Sequence, residues 1–308
     1  MAFRFRTLAP IAAVGILALA GCASDSEPAS SGDPDTSAED TLGTADDPVQ
    51  LGVVGASDPY WAVYEEAVEA EGIELDIVDF TEYTQPNPAL SQGELDINQF
   101  QHIQYLADYN VSAGDDLQPI GATAIYPLGL YSEKYDSVED IPDGETVVVP
   151  NDTVNQARGL LVLQSAGLIA LEDGGSSFSS LDDIVEDDSR VEVEALDAAI
   201  TVTSLPDVAA AIVNNDFLDN ADLTSDDAIA ADDPSDPSAL PYVNIFAVRA
   251  DDVDNEVLNR LVEIYQSNQD VLDGVQEASG GTAVFATTPV DELQASLVEV
   301  EEAVEANQ

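Results

Sequence analysis

The amino-acid sequence predicts an α/β fold in two lobes, on three observations. Apolar runs of strand length alternate with segments that open on helix caps, the pattern of a parallel sheet with right-handed crossovers. A chain of 308 residues exceeds one typical domain and supplies material for about two. A late apolar run, Tyr242 to Arg249, reads as a strand that returns to the first lobe after the second has been built.

Ahead of the folded body stands a targeting segment. Arg4 and Arg6 precede an apolar run from Leu8 to Ala20 that is too short for a comfortable membrane span. The run ends in Leu19-Ala20-Gly21-Cys22, which resembles the lipobox of bacterial lipoproteins, where the signal is cut before a cysteine that takes the lipid. Cys22 is the one cysteine, so no disulfide can form within the chain, and lipidation accounts for both its number and its place. Residues 1–21 are therefore expected to be a signal peptide, and 22–47 a lipidated cysteine with an acidic tether. From Ala23 to Asp47 there is one leucine among small, polar and acidic residues, too little apolar surface to offset the entropy of ordering. As a random coil this stretch would span roughly 25 to 30 Å.

The elements of the body follow in order. Val49 to Val54 is a first strand, and Asp58-Pro59 supplies an N-cap and a first-turn proline for a helix to about Ala70, which Gly72 stops. Glu74 to Phe80 is the next strand, Asn87-Pro88 opens a short helix, and Leu95 to Phe100 is a third buried run. Tyr83, Gln85 and Phe100 then follow strands, where open α/β sheets hold their ligands. A second unit begins with Ala122 to Tyr131 and the strand Thr146 to Val149, followed by the loop Pro150-Asn151-Asp152-Thr153 and a helix from Val154 to about Ala166. Strand Val191 to Leu196, helix Pro206 to Val213 and an acidic loop from Asp216 to Ser238 come next. A long helix from Asn255 to about Ala278 precedes a last one, Val290 to Asn307, whose Leu293, Leu297, Val300 and Val304 recur at helical spacing. The expected division is 48–128 plus 247–308 for the first lobe and 129–246 for the second.

Charge and motif content exclude whole classes of function. With 62 acidic against 7 basic residues the formal charge is -55, so a polyanion such as DNA or RNA is repelled. A salt-exposed host and a biased genome composition are both readings of that acidity. There is no Gly-x-Ser-x-Gly elbow, no His-Glu-x-x-His and no phosphate-cradling Gly-x-x-x-x-Gly-Lys loop, and one histidine cannot build a multi-histidine metal site. Asp216 to Asp222 spaces its carboxylates temptingly for calcium but lacks the loop glycine and the closing glutamate, and reads as a solvated loop. No catalytic residue, metal or cofactor is expected. A secreted hydrolase using two carboxylates stays as the competing enzymatic class, although no spacing selects a pair, and a structural surface lipoprotein is the third class.

Two places carry chemistry. The stretch QPNPALSQGELDINQFQHIQYL, Gln85 to Leu106, sets the one histidine, His102, between Phe100 and Tyr105 amid several side-chain amides, which suits a pocket for a small, partly apolar zwitterion. A histidine packed and hydrogen-bonded at a strand-to-helix junction is the alternative. Beyond the signal only Lys134, Arg158, Arg190, Arg249 and Arg260 are basic, and Arg158 stands out in the first turns of its helix, where the dipole already favours an anion. Its guanidinium can take a carboxylate bidentately or close an internal salt bridge.

Several segments together carry a family resemblance: Asp79-Phe80-Thr81-Glu82-Tyr83-Thr84-Gln85-Pro86-Asn87, Asn98-Gln99-Phe100-Gln101-His102 with Tyr105, Val149-Pro150-Asn151-Asp152 with Asn155 and Arg158, and Pro241-Tyr242-Val243-Asn244. From about Val49 to Gln276 the sequence resembles the MetQ/NlpA family, lipid-anchored substrate-binding proteins of methionine ABC importers. The resemblance implies a bilobed, periplasmic-binding-protein-like fold of type II that closes on one amino acid, with an ABC permease and its ATPase subunits as partners. It implies a place on the extracytoplasmic face of the cell membrane, anchored through Cys22. On matching positions it gives Arg158 the ligand carboxylate, Asn155, Asn214 and Asn244 the amino-acid head, and Tyr83, Phe100, His102 and Tyr105 the thioether side chain. Close variants of this reading are a methionine-containing dipeptide or another amino acid as ligand. The chain departs from the family pattern at Tyr60-Trp61, where a Pro-His pair is common, at Gln156-Ala157 in place of Leu-Gly, and in the extension from Gly280 to Gln308.

Overall fold

The computed structural model describes residues 41–307, so the signal peptide, Cys22 and most of the expected tether lie outside the described residues. In chain order the elements are β1 (Val49–Val54), α1 (Pro59–Ala70), β2 (Leu75–Phe80), α2 (Pro86–Ser91), β3 (Ile97–His102), α3 (Ile103–Ala113), β4 (Gln118–Ala122), β5 (Ala124–Ile125) and β6 (Gly129–Tyr131). They continue with β7 (Thr146–Pro150), α4 (Thr153–Ser165), β8 (Glu192–Leu196), α5 (Ala198–Thr201), β9 (Ala210–Val213), β10 (Ala230–Ala231) and β11 (Asn244–Val248). The remainder is α6 (Glu256–Ser267), α7 (Gln269–Ala278), β12 (Val284–Phe285) and α8 (Val290–Asn307).

Two five-stranded sheets make the two lobes, one ordered β2-β1-β3-β11-β4 and the other β10-β6-β9-β7-β8. The expected two-lobed α/β architecture is present. The chain crosses between the lobes twice, through Tyr126 to Leu128 and through the segment between β10 and β11. The sheets are mixed rather than parallel throughout: β11 runs antiparallel to both β3 and β4, and β6 antiparallel to β9. A strand that arrives from the other lobe enters its sheet without a crossover helix, so nothing obliges it to run parallel. The return is complete by Asn244, which pairs with His102, ahead of the expected boundary at 247.

Three sequence expectations are corrected by packing. Pro206 to Val213 is not a helix; Ala210–Val213 is a fully buried strand between β6 and β7. Alanines favour helix, but a run this short, apolar on both faces, is what an interior strand needs. The helix expected from Asn255 to Ala278 breaks at Asn268, whose side chain caps α7 by accepting from the Asp270 and Val271 amides at 3.0 and 3.2 Å. The end of the tether is folded onto the body: Glu74 N donates to Gly43 O at 2.9 Å, and Leu42 packs on the first lobe's core.

Each lobe has its own core, and a further apolar cluster is made by both. It joins Val54, Tyr83 and Phe100 of the first lobe to Tyr131, Val148, Val202 and Phe217 of the second. Burying one such side chain contributes about 1.5 to 3 kcal/mol, so this cluster favours the lobes in contact. Tyr60 and Trp61, the departure from the family pattern, are buried with Tyr64 and Tyr265 in the first lobe's core. Helix α8 covers the opposite face of that sheet, with Leu293 and Leu297 packed among Ile103 and Leu106 and Glu301 accepting from Asn110 Nδ2 at 2.8 Å.

Candidate ligand-binding site

A narrow cavity between the lobes is lined by Tyr83, Phe100, His102, Tyr105, Asn155, Arg158, Asn214 and Asn244, together with Gln101, Tyr126, Pro127, Leu128, Asn215 and Asp216. All eight side chains singled out in the sequence meet there, from five separate stretches of chain.

The apolar wall is built at the end of β3. Strand alternation and the break into α3 put Phe100, His102 and Tyr105 on the cleft side, with Tyr83 reaching them from the turn after β2. The Tyr83 ring lies 5.9 Å from Phe100, 6.0 Å from Tyr105 and 5.0 Å from Phe217 of the other lobe. His102 caps α3, its Nδ1 accepting the Tyr105 amide at 3.2 Å, and its ring stands perpendicular to that of Tyr242 with the centres 5.4 Å apart. Burial, and then the nearby Arg158 charge, hold the imidazole down at about 3, so it is neutral at any ordinary pH. The amides that looked like ligand contacts mostly bind one another. Asn87 Nδ2 donates to Gln101 Oε1 at 2.7 Å and Asn98 Nδ2 to Asn87 Oδ1 at 3.0 Å, which fixes β3 from behind.

The polar wall starts at the N-terminus of α4. Asp152 caps the helix by accepting from the Asn155 amide at 2.8 Å and also from Asn155 Nδ2 at 3.0 Å. Burial raises the Asp152 carboxyl to about 6, with the Asn155 donors opposing the shift. Asn155 Oδ1 in turn accepts from Asn214 Nδ2 at 3.1 Å. That bond leaves Asn214 Oδ1 buried without a hydrogen-bond partner.

Arg158 closes the internal salt bridge and also lines the cavity. Its Nε meets Asp232 Oδ2 at 2.6 Å, its Nη2 donates to the Tyr126 carbonyl at 2.8 Å, and its guanidinium carbon sits 4.4 Å above the centre of the Tyr242 ring. The side chain is buried and oriented on two edges and one face, yet it still lines the cavity. No described hydrogen bond uses Nη1.

The acidic stretch from Asp216 is solvated only in part, with Asp219, Asn220 and Asp222 exposed. Asn215–Ala221 is a 3-10 turn that buries Phe217 and Leu218 and brings Asp216 to the cavity wall. Asp216 Oδ2 accepts from the Tyr83 hydroxyl of the opposite lobe at 2.8 Å. Asp232, Tyr242 and Tyr126 were likewise missed as parts of the site. Asp232 and Asp216 were hidden by the many acids around them; the isolated apolar Phe217-Leu218 pair was the one signal that this loop is anchored. Asp216 is the one carboxylate among the described residues that line this cavity.

Comparison with known proteins gives the family. The family model for the NlpA lipoprotein matches residues 49–286, ending just before α8. A D-methionine-binding lipoprotein MetQ from Salmonella typhi is 35% identical over 290 residues, which cover 92% of this chain and 99% of that protein. A crystal structure of protein PG110 from Staphylococcus aureus aligns with a TM-score of 0.77 at 31% identity, covering 82% of this chain and 99% of that one. A nutrient binding protein from Burkholderia cenocepacia, solved bound to methionine, aligns with a TM-score of 0.71 at 36% identity, covering 77% and 99%. With a matching family model over most of its length and relatives of this similarity, the chain belongs to the NlpA lipoprotein family.

Proposed function

We propose that this chain is the substrate-binding protein of an ABC importer and that its cleft takes methionine. The observation that carries the reading is the cavity itself, where an oriented guanidinium and buried amides stand opposite a neutral aromatic box. In this reading Arg158 pairs with the ligand carboxylate, Asn155, Asn214 and Asn244 bond its head group, and Tyr83, Phe100, His102 and Tyr105 enclose the thioether. Sulfur packs well at aromatic edges, and a zwitterion taken from water needs a partner for each polar group. Relatives named for D-methionine binding and a relative solved with methionine support the choice of ligand. The lobes are held together by Tyr83 to Asp216 and by Thr282 Oγ1 to Ser225 Oγ at 3.2 Å, contacts that a ligand bound between them reinforces.

The same reading places the protein on the extracytoplasmic face of the cell membrane, anchored through Cys22, delivering its ligand to a permease driven by ATPase subunits. No helix among the described residues is long and apolar enough to cross a membrane. Calorimetric titration with L- and D-methionine tests the function. One saturable site with no chemical change in the ligand is expected, and heat-free titrations with both stereoisomers would end the methionine reading.

A further inference from the structure

Among its lining residues the cleft carries one cation and one anion, Arg158 and Asp216. The carboxyl is held in place: Asn215 Nδ2 donates to Oδ1 at 2.6 Å, and the Tyr83 hydroxyl donates to Oδ2 at 2.8 Å. Two residues earlier, Asn214 Oδ1 is buried and without a donor, while its Nδ2 is engaged by Asn155. A buried carbonyl oxygen in that state is costly, and an N–H brought by a ligand would relieve it. The Asn214–Asp216 side of the cavity thus offers acceptors with negative charge, and Arg158 offers donors with positive charge. That polarity matches a zwitterion.

We propose that Asp216 is the anionic partner of the ligand's ammonium group, with Asn214 Oδ1 accepting one of its N–H bonds, so that the cleft selects for a free α-amine. The inference rests on the amino-acid reading of the cleft and adds to it the group that neutralises the amine. The charged and titratable neighbours are Tyr83, Tyr105, Tyr60 and Tyr265 from the first lobe, Tyr126 from the crossover, Arg158 and His102 in the cavity wall, Asp58 and Asp219 on the seam behind, and Asp152, raised to about 6, behind Asn155. Burial lifts the Asp216 carboxyl to about 7 against the pull of its two donors, and Asp58 is lifted to about 7 by burial and by Asp219. Below that pH Asp216 is protonated and offers the ammonium no counter-charge; above it the carboxylate does. Affinity for an amine-bearing ligand therefore rises as pH rises through 7. His102, held at about 3, does not titrate in that window.

Calorimetry on the intact protein with methionine and with its des-amino analogue, at about pH 5.5 and about pH 7.5, tests this. For the wild type, methionine should gain about ten-fold in affinity between the two pH values while the analogue gains none. Asp216→Asn keeps an acceptor for Tyr83 and should lose about ten-fold or more for methionine at the higher pH, abolish the pH dependence and leave the analogue unchanged. Tyr83→Phe, which breaks the interlobe bond but keeps the carboxylate, should weaken both ligands alike. An Asp216→Asn protein that binds methionine as the wild type does, or loses both ligands equally, overturns the assignment. A wild type that binds methionine without pH dependence also overturns it, whereas one that binds neither ligand overturns the amino-acid reading on which it rests.

Discussion

The rings of Tyr83 and Phe100 lie 5.9 Å apart at 39°, and each meets the Tyr105 ring edge-to-face at about the same distance. Three rings packed in this way make an apolar wall in which each ring supports the other two. Phe100→Ala should cost on the order of 1 to 3 kcal/mol in methionine binding while changing the affinity for alanine or glycine little. Equal losses for all three amino acids, measured by calorimetry, would make Phe100 a core residue only.

Arg158→Ala removes both a wall of the cavity and the partner of Asp232. Loss of the clamp should cost roughly 3 to 5 kcal/mol in methionine binding, two to three decades or more in affinity. The empty protein should also melt lower, because Asp232 is left without its counter-ion. Arg158→Lys should not rescue either quantity, since an ammonium cannot serve the carboxylate, the carbonyl and a ligand in one plane. Thermal melting with and without methionine reads both effects; a mutant with a full ligand-induced shift would remove Arg158 from the site.

The single histidine permits a clean titration. A base whose folded pKa is depressed to about 3 adds stability fully above its ordinary value near 6.5 and loses it as pH falls toward 3. The imidazole resonances should therefore stay fixed from about pH 8 to about pH 5. Against a His102→Gln reference, the wild type should lose on the order of 1 to 2 kcal/mol of unfolding free energy between pH 7 and pH 5. A histidine titrating near its ordinary value would show that the ring is wet. Asp152, Asp216 and Asp58, all raised, act with the opposite sign over about pH 4 to 7, which is why the mutant reference is needed.

Self-repulsion at a formal charge of -55 should weaken as the Debye length shrinks from about 10 Å at 0.1 M salt to about 3 Å at 1 M. Melting temperature should accordingly climb with sodium chloride. A flat series would mean that the carboxylates are too well hydrated and dispersed to oppose folding.

Cys22→Ser should abolish lipid labelling and either release the protein from membranes or leave the signal uncut. Unchanged labelling of the variant in a fractionation experiment would place the anchor elsewhere.

Local signals carried much of this molecule and long-range ones did not. Pro59 in the first turn of α1, Asp152 before α4 and the helical spacing of α8 were readable because caps and periodicity are properties of neighbours in sequence, although the Asp58 side chain makes no capping hydrogen bond. Ala210–Val213 was not, because its conformation is chosen by β6 and β7 on either side rather than by its alanines. In the site, the eight lining side chains named from the sequence were legible through motif resemblance, whereas Asp216 and Asp232 were not. A carboxylate becomes informative only when burial and a partner such as Tyr83 or Arg158 separate it from its solvated neighbours, and both come from residues far away in the chain.

The two fixed edges of Arg158 end on the two strands of chain that join the lobes: Tyr126 belongs to the first crossing, and Asp232, which also accepts the Leu128 amide at 2.8 Å, opens the second. One side chain thereby ties both connections between the lobes to the wall of the cavity. On the proposed reading, a carboxylate bound at the guanidinium would load both connections between the lobes at once, with no relay of intermediate contacts for mutation to interrupt.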